Sequence, residues 1–153
     1  MPPVIREYRP SDFRTLWEID QVCFARGISY SRRELAFYIA RKRGFTLVGE
    51  REGKIIGFVV IDRDRQSQGH VITIDVLPEA QRSGLGSRLM AAAEERLRAL
   101  GCSAVILETA ADNAAALAFY KRHGYTLVHT IPRYYLDSID ALVLAKELTS
   151  PDA

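Results

Sequence analysis

The sequence predicts a mixed α/β (α+β) domain in which a central sheet of six to seven strands is flanked by about four helices. Segments of strand and helix periodicity follow one another in the order strand, two helices, three antiparallel strands, helix, strand, helix, two strands. The 153 residues correspond to about one domain, and no linker or internal repeat divides them. A composition of 48% hydrophobic and 26% charged residues is ordinary for a soluble globular protein. We therefore expect one domain over residues 1–153.

The N-terminal part of the chain favours one strand and two helices. Residues 4–9 have the composition of a short strand, and Ser11 is a good N-cap for the helix that follows. Ser31 and Glu34 form the Ser-x-x-Glu pattern of a capping box, so a second helix is expected to begin there. The residues between the two helices are expected to form a loop.

Three antiparallel strands are expected next. Residues 45–50 and 54–63 are rich in β-branched side chains and are joined by a short turn that contains Gly53, where a positive φ is tolerated. Residues 70–77 alternate as a third strand. One face of it is expected to carry Val71, Thr73 and Asp75, and the other face Ile72, Ile74 and Val76.

The C-terminal segments alternate between helix and strand. Residues 84–100 are rich in Ala, Leu, Glu and Arg, and Gly101 stands where helices commonly end. After this helix we expect a strand at 103–109, a helix at 113–122, and strands at 125–130 and 141–148.

Charge and hydropathy exclude several classes of partner. The formal net charge of +2 is too small for binding along a phosphate backbone, so no nucleic acid is expected. The longest apolar run, residues 55–61, falls far short of the roughly 18 residues of a membrane span, so no membrane partner is expected. No apolar signal region precedes Arg6 and Glu7, and a cytoplasmic location is therefore expected.

The cysteines and histidines form no motif for metal binding or nucleophilic catalysis. Cys23 and Cys102 are far apart and neither belongs to a CxxC pair, so we expect two idle thiols and no metal. His70, His123 and His129 lack the mutual spacing of a metal site or a nucleophile relay. They are expected to be surface residues or hydrogen-bonded structural ones.

The most informative segment is a glycine-containing turn from a strand into a helix, at Gln81, Arg82, Ser83, Gly84, Leu85, Gly86 and Ser87. A helix N-terminus exposes about four unpaired N–H groups and a partial positive charge. Gly84 and Gly86 would let a pyrophosphate approach these groups, and Arg82 and Arg88 would add positive charge. The Gly-Lys-Ser/Thr of a Walker loop and the third glycine of a dinucleotide loop are absent.

Two further motifs follow this turn. One comprises Leu107, Glu108 and Thr109, then Asn113, Ala116, Tyr120, Gly124 and Tyr125. The other comprises Arg133, Tyr134 and Tyr135, then Asp140 and Ala141. In this order, the turn and the two motifs resemble those of the GCN5-related N-acetyltransferase (GNAT) superfamily and of its RimI-like subfamily, which acetylates protein N-termini. The resemblance is specific over about residues 72–148 and implies the GNAT fold.

The resemblance implies acetyl-CoA as the cosubstrate and no metal. It also implies that the strand at 72–76 separates from the next strand, so that its free backbone groups bind pantetheine and the Val76 N–H polarises the thioester carbonyl. The implied acetyl-CoA-binding residues are Ile74, Val76, Gln81, Arg82, Ser83, Gly84, Leu85, Gly86, Ser87, Asn113 and Tyr120.

The resemblance further implies Glu108 as the general base and Tyr120 as the general acid near the CoA sulfur. Glu108 takes the ammonium proton directly or through one water in this scheme. Tyr30, Tyr134 and Tyr135 are implied to line the acceptor groove. On their residue types alone, Glu108 also suits a structural ion pair, Asn113 suits a helix cap, and the tyrosines suit core packing.

We therefore expect an acyltransferase that moves acetyl directly to an amine, in the RimI-like manner to the α-amino group of a protein N-terminus. One alternative is a GNAT that acetylates a small amine such as a polyamine, an amino acid or an aminoglycoside. Another is a non-catalytic acyl-CoA-binding regulatory module. The loop at residues 24–31 lacks the Pro and Trp that RimI-like enzymes often carry there, which leaves the acceptor open. Both a monomer and a homodimer are compatible with the sequence.

Overall fold

In the computed structural model, which describes residues 2–148, seven strands form one mixed sheet and four helices pack against it. The strands are β1 (Val4–Glu7), β2 (Phe45–Arg51), β3 (Lys54–Arg63), β4 (Gln68–Val76), β5 (Ala104–Ala110), β6 (Thr126–Tyr135) and β7 (Ile139–Glu147). The helices are α1 (Phe13–Cys23), α2 (Arg32–Ile39), α3 (Leu85–Ala99) and α4 (Ala114–Arg122). The predicted fold class and element order are confirmed.

The strands lie in the order β1-β2-β3-β4-β5-β7-β6. Neighbouring strands are antiparallel except β4 and β5, which are parallel and are connected by α3. A parallel pair needs such a crossover, because the chain must return to the same end of the sheet before the next strand begins.

The hydrophobic core lies in two layers, one on each face of the sheet. Helices α1 and α2 cover one face, where Leu16 and Leu35 pack on Phe58 of β3. Helix α3 covers the other face with Leu89 and Leu97, and α4 adds partly buried side chains there. We refer to these as the α1/α2 face and the α3/α4 face. Within residues 2–148, no helix is long and apolar enough to cross a bilayer.

The predicted cap before α2 is present, whereas the predicted cap before α1 is not. The capping box before α2 is confirmed, since the Ser31 hydroxyl accepts from the Glu34 N–H and the Glu34 carboxylate accepts from the Ser31 N–H. Ser11 is not the N-cap of α1: it lies inside a 3-10 turn, and the helix begins only at Phe13. The reason is Asp12, whose carboxylate is held by Arg6 of β1 and fixes this extra turn.

The hairpin between β2 and β3 is tighter than predicted. The strands continue to Arg51 and from Lys54, which leaves only Glu52 and Gly53 in the turn. Both turn residues have positive φ, 53° and 77°. This is the geometry that matches the natural twist of a two-residue hairpin.

Strand β4 does not alternate regularly, contrary to the sequence expectation. Thr73 pairs with Val60, but Val71 pairs with the next residue, Ile61, so Ile72 is an extra residue in β4. After this β-bulge, the side chains of β4 point to the opposite face of the sheet from the one that regular alternation would give them. Val71 therefore faces the α3/α4 layer, whereas Thr73, paired with Val60, faces the α1/α2 layer.

Strand β6 is longer than the predicted 125–130 and includes Tyr134 and Tyr135. A register irregularity lies between Ile131 and Tyr135, where Arg133 has a φ of 52°. This irregularity interrupts the alternation of side chains between the two faces of the strand. The alternating pattern in the sequence therefore ends before the strand itself ends.

Candidate active site

A gap opens in the sheet between β4 and β5. The two strands pair over four residues each, ending with Val71 opposite Leu107, and then diverge. The Leu77 N–H donates to the Ile56 carbonyl of β3. Since backbone groups point alternately to the two sides of a strand, the Val76 N–H points away from β3 and into the gap. The strand separation implied by the resemblance is thus present.

A cleft of about 910 Å³ occupies this gap. It extends between the N-terminus of α3, helix α4 and the loop after α1, and it brings together twelve of the predicted site residues. They are Tyr30, Ile74, Val76, Gln81, Arg82, Gly84, Gly86, Ser87, Glu108, Asn113, Tyr120 and Tyr135.

Three predicted site residues do not line the cleft. The Leu85 side chain is buried in the α3/α4 layer, and the Ser83 hydroxyl donates to the Ala80 carbonyl. Leu85 and Ser83 can therefore contact a ligand only through their backbone groups. Tyr134 is 53% exposed and stands edge-on against Tyr135, with ring centroids 4.9 Å apart.

The glycine turn presents the N-terminus of α3 to the cleft. Gly84 has a φ of 85°, and a Cβ there would meet no atom within 4 Å, so the backbone is open to a ligand. Arg82 and, from α4, Arg122 line the cleft as well. A helix N-terminus with two guanidinium groups fits a pyrophosphate. Arg88 does not contribute, contrary to expectation, because it donates to the Pro3 carbonyl. Arg122 was not among the residues predicted from the sequence.

Helix α4 carries two of the predicted residues on one face. The Asn113 side chain caps the helix, accepting from the Ala116 N–H at 3.1 Å, so the expected capping role is confirmed. Tyr120 lies about two turns further on. Burial raises the pKa of Tyr120 above its usual 10.0, and the nearby Asp75 carboxyl raises it further. The phenol is therefore a neutral hydrogen-bond donor at physiological pH.

Glu108 forms a pair with His70 that was not predicted from the sequence. Its Oε2 lies 2.7 Å from Nε2 of His70, and both side chains are partly exposed. His70 is opposite Ile106 in the β4–β5 ladder, so Glu108 is two residues further along the same face. His70 is a hydrogen-bonded residue, as expected, but its partner is the predicted base. The strand register was the signal that would have found it.

Tyrosine side chains lie on the α1/α2 face at the end of the cleft that contains Glu108. The Tyr30 hydroxyl donates to the Ile72 carbonyl at 3.2 Å, and its ring is edge-on to Tyr38. Burial raises the pKa of Tyr135 to about 12, and the Glu108 carboxylate contributes to this shift. This end of the cleft is therefore lined by neutral hydroxyl groups around one carboxylate–imidazole pair.

Cys23 lines the cleft, although its sequence context indicated an idle thiol. Its Sγ donates to the Val76 carbonyl at 3.3 Å, beside the N–H that is expected to contact the thioester. Burial raises the pKa of this thiol to about 12, and the Asp75 and Asp20 carboxyl groups add to the shift. Because the nucleophilic form of cysteine is the thiolate, Cys23 is not poised to attack.

A model of the Acetyltransferase (GNAT) family matches residues 13–125, most of the chain. The chain belongs to this family. It is therefore an acyltransferase of the GNAT type, and the cleft between β4 and β5 is the part of the GNAT domain where the candidate catalytic residues meet.

Two relatives match this GNAT chain over nearly its whole length. An uncharacterized N-acetyltransferase from Methanocaldococcus jannaschii is 28% identical over 94% of this chain and 91% of the relative. An N-alpha-acetyltransferase from Sulfurisphaera tokodaii is 25% identical over 94% of this chain and 92% of the relative. Among solved structures, the ribosomal-protein-S18-alanine N-acetyltransferase from Escherichia coli is 25% identical, with a TM-score of 0.86 over 97% of this chain and 95% of that one.

Proposed function

We propose that this acetyltransferase transfers the acetyl group of acetyl-CoA to the α-amino group of a protein N-terminus. The observation that carries the proposal is the Glu108–His70 pair, which lies among tyrosine hydroxyls at one end of the cleft while the open helix N-terminus lies at the other. The names of the Sulfurisphaera relative and the Escherichia coli enzyme agree with this acceptor class.

The acetyl thioester of acetyl-CoA supplies the electrophilic carbonyl. Glu108 accepts the proton that the acceptor ammonium must lose before or as its nitrogen bonds to the carbonyl carbon. The Val76 N–H, directed into the gap, would stabilise the oxyanion that develops. As the carbon–sulfur bond breaks, Tyr120 donates a hydrogen bond to the departing thiolate.

Two features support direct transfer without an acetyl-enzyme. Cys23 is the thiol that lines the cleft, and the raised pKa keeps it protonated. Glu108, in contrast, is hydrogen-bonded and partly exposed to solvent, as a base that must release its proton again requires.

The distribution of carboxyl groups favours a monoamine acceptor over a polycation. Three acidic side chains line the cleft: Asp75, Glu108 and Asp112. Asp75 is buried to 1% exposure, and Asp112 lies next to the cap of α4. Glu108 is thus the carboxylate available at the tyrosine-lined end. A polyamine or an aminoglycoside carries several ammonium groups and would need more than one.

The test is mass spectrometry of a mixed panel of N-terminal peptides and small amines after incubation with acetyl-CoA. We expect acetylation confined to peptide α-amines. Glu108→Gln should abolish most of this product, whereas Glu95→Gln, at an exposed position on α3, should not.

Acetylated small amines alone would contradict the proposed acceptor and support the alternative small-amine enzyme. Binding of acetyl-CoA without any product would contradict catalysis and support a regulatory module. The cytoplasmic location and the oligomeric state, monomer or homodimer, stay predictions; gel filtration and light scattering of the purified chain test the latter.

A further inference from the structure

Two carboxyl groups are buried next to each other beneath the cleft. Asp20 of α1 is 0% exposed and Asp75 of β4 is 1% exposed, and the Asp20 carboxyl is close enough to raise the pKa of Asp75. Asp20 Oδ2 accepts from the Tyr30 N–H at 2.7 Å, and Asp75 Oδ1 accepts from the Thr73 hydroxyl. The remaining oxygens, Asp20 Oδ1 and Asp75 Oδ2, have no partner within residues 2–148.

Two ionised carboxylates cannot satisfy each other, because carboxylate oxygens only accept hydrogen bonds. One proton between Asp20 Oδ1 and Asp75 Oδ2 would satisfy both atoms and remove the repulsion between the groups. The titratable side chains that face the pair are Cys23, Tyr30 and Tyr120, all of which are neutral when protonated. In the part of the chain that the structure describes, no cationic side chain forms a salt bridge with either carboxyl group.

The titration behaviour agrees with this geometry. Burial raises the pKa of Asp75 well above its ordinary value, and the Asp20 carboxyl raises it further. The hydrogen bond from Thr73 lowers it in part. Asp75 is therefore expected to keep its proton under conditions in which an exposed aspartate is ionised.

The pair is connected to the acceptor end of the cleft through Tyr30. Asp20 holds the Tyr30 N–H, while Trp17 Nε1 and Gln21 Nε2 donate to its carbonyl. The Tyr30 hydroxyl reaches Ile72 O, on the part of β4 that has left β5. Tyr30 thus spans from α1 to the open strand edge, and both of its anchors depend on how closely α1 approaches β4.

We propose that Asp20 and Asp75 share one proton and act as positioning residues that hold Tyr30 against the open edge of β4. Tyr30 is then held in this position only while the shared proton is bound. Its loss places two negative charges at the α1–β4 contact and loosens Tyr30, without touching the glycine turn at the other end of the cleft. The role in acceptor binding rests on the proposed function.

Nuclear magnetic resonance of the full chain tests the shared proton without any turnover. In protein labelled at the aspartate carboxyl carbons, one carboxyl of the pair should remain protonated at neutral pH. At neutral pH the Tyr30 amide should be protected from hydrogen exchange. At alkaline pH its exchange rate should rise by more than hydroxide catalysis of exchange alone explains. Ordinary acidic titration of both carboxyl groups, or an unprotected Tyr30 amide at neutral pH, would overturn the proposal.

The variant Asp75→Asn separates the proton from the shape of the side chain. Its amide can donate to Asp20 Oδ1 while its oxygen accepts from Thr73, so the contact persists but no longer titrates. We expect Tyr30 protection to persist at alkaline pH in this variant. Asp137→Asn, at an exposed position with a φ of 56°, is the matched control and should behave like the unchanged chain.

Kinetics on the best peptide acceptor test the consequence for binding. The acceptor KM of the unchanged chain should rise at alkaline pH, and that of Asp75→Asn should not. Asp75→Ala should raise the acceptor KM about tenfold at all pH values, with the acetyl-CoA Kd changed less than about twofold. If Asp75→Ala does not fold, the comparison with Asp75→Asn decides alone. An equal alkaline rise in both chains would contradict the positioning role.

The two proposals fail in different ways. If the pair holds its proton but no peptide is acetylated, the proposed function fails and the carboxyl pair stands. If peptides are acetylated while both carboxyl groups are ionised, the inference fails and the function stands.

Discussion

Glu108 Oε2 and His70 Nε2 lie 2.7 Å apart, joining the two strands at the point where they begin to diverge. The pair fixes the direction of the Glu108 side chain, which would otherwise be free to rotate in a partly open cleft.

We expect Glu108→Gln to lower kcat/KM for a peptide acceptor by about 10²-fold or more, because an amide cannot accept the ammonium proton. Acetyl-CoA affinity should stay nearly unchanged, as measured by calorimetry. His70→Gln should cost less than Glu108→Gln, since it removes only the residue that orients the base. Full activity of Glu108→Gln would remove this residue from the mechanism.

Tyr120→Phe should lower kcat roughly 10- to 100-fold, because the thiolate loses its hydrogen-bond donor. The raised pKa of Tyr120 keeps the phenol protonated, so its ionisation should produce no alkaline decline of kcat below pH 10.0. A pH–rate profile checks this, with Tyr8→Phe as the control. A decline that begins near pH 8 and disappears in Tyr120→Phe would contradict the assignment.

Gly84→Val should weaken acetyl-CoA binding about tenfold or more by blocking backbone approach at the helix N-terminus. Gly101→Val is a close control: its φ is 86° against 85°, and a Cβ at either position meets no atom within 4 Å. Both variants should lose about 1–2 kcal/mol of stability from the left-handed backbone. Equal acetyl-CoA Kd values, by calorimetry, would mean that the turn is not the pyrophosphate site.

Asp12→Asn should reduce the free energy of unfolding by about 1–3 kcal/mol at pH 7, because Arg6 loses one of its two carboxylate partners, Asp12, which is 6% exposed, and keeps only Glu50. The Arg6 hydrogen bond lowers the pKa of Asp12. The stabilisation that ionised Asp12 gives the folded state is thus fully present above the unfolded-state pKa of about 3.9. It is lost as the pH falls through the lower folded-state pKa. Urea unfolding should show the two chains converging below about pH 4; a constant difference would exclude the ionised pair.

Features encoded by neighbouring residues could be predicted from the sequence. The capping box at Ser31 and Glu34 and the positive-φ turn at Gly84 depend on interactions within a few residues, so their patterns identify them directly. The motif resemblance added Glu108 and Tyr120, which the structure places in the same cleft.

Features that depend on strand register could not be predicted in this way. His70 meets Glu108 across 38 residues of sequence, and Asp20 meets Asp75 only because the bulge at Ile72 turns Asp75 toward α1. Hydrophobic periodicity carries no information about which residue of one strand lies opposite which residue of another. The Arg6–Asp12 ion pair, which hydrophobic periodicity also does not predict, overrode the local cap at Ser11.

The bulge also means that β4 tolerates changes of length less well than changes of side chain. The bulge sets the face that each later residue occupies, so a deletion after it, at Ile74, would turn Asp75 into the apolar α3/α4 layer, while Val76 would face α1. Every later residue of the strand, and the backbone groups that it offers to the gap, would be inverted together. Length variation among homologues should therefore fall in the turn at residues 64–67, ahead of the strand, and leave the strand itself unchanged.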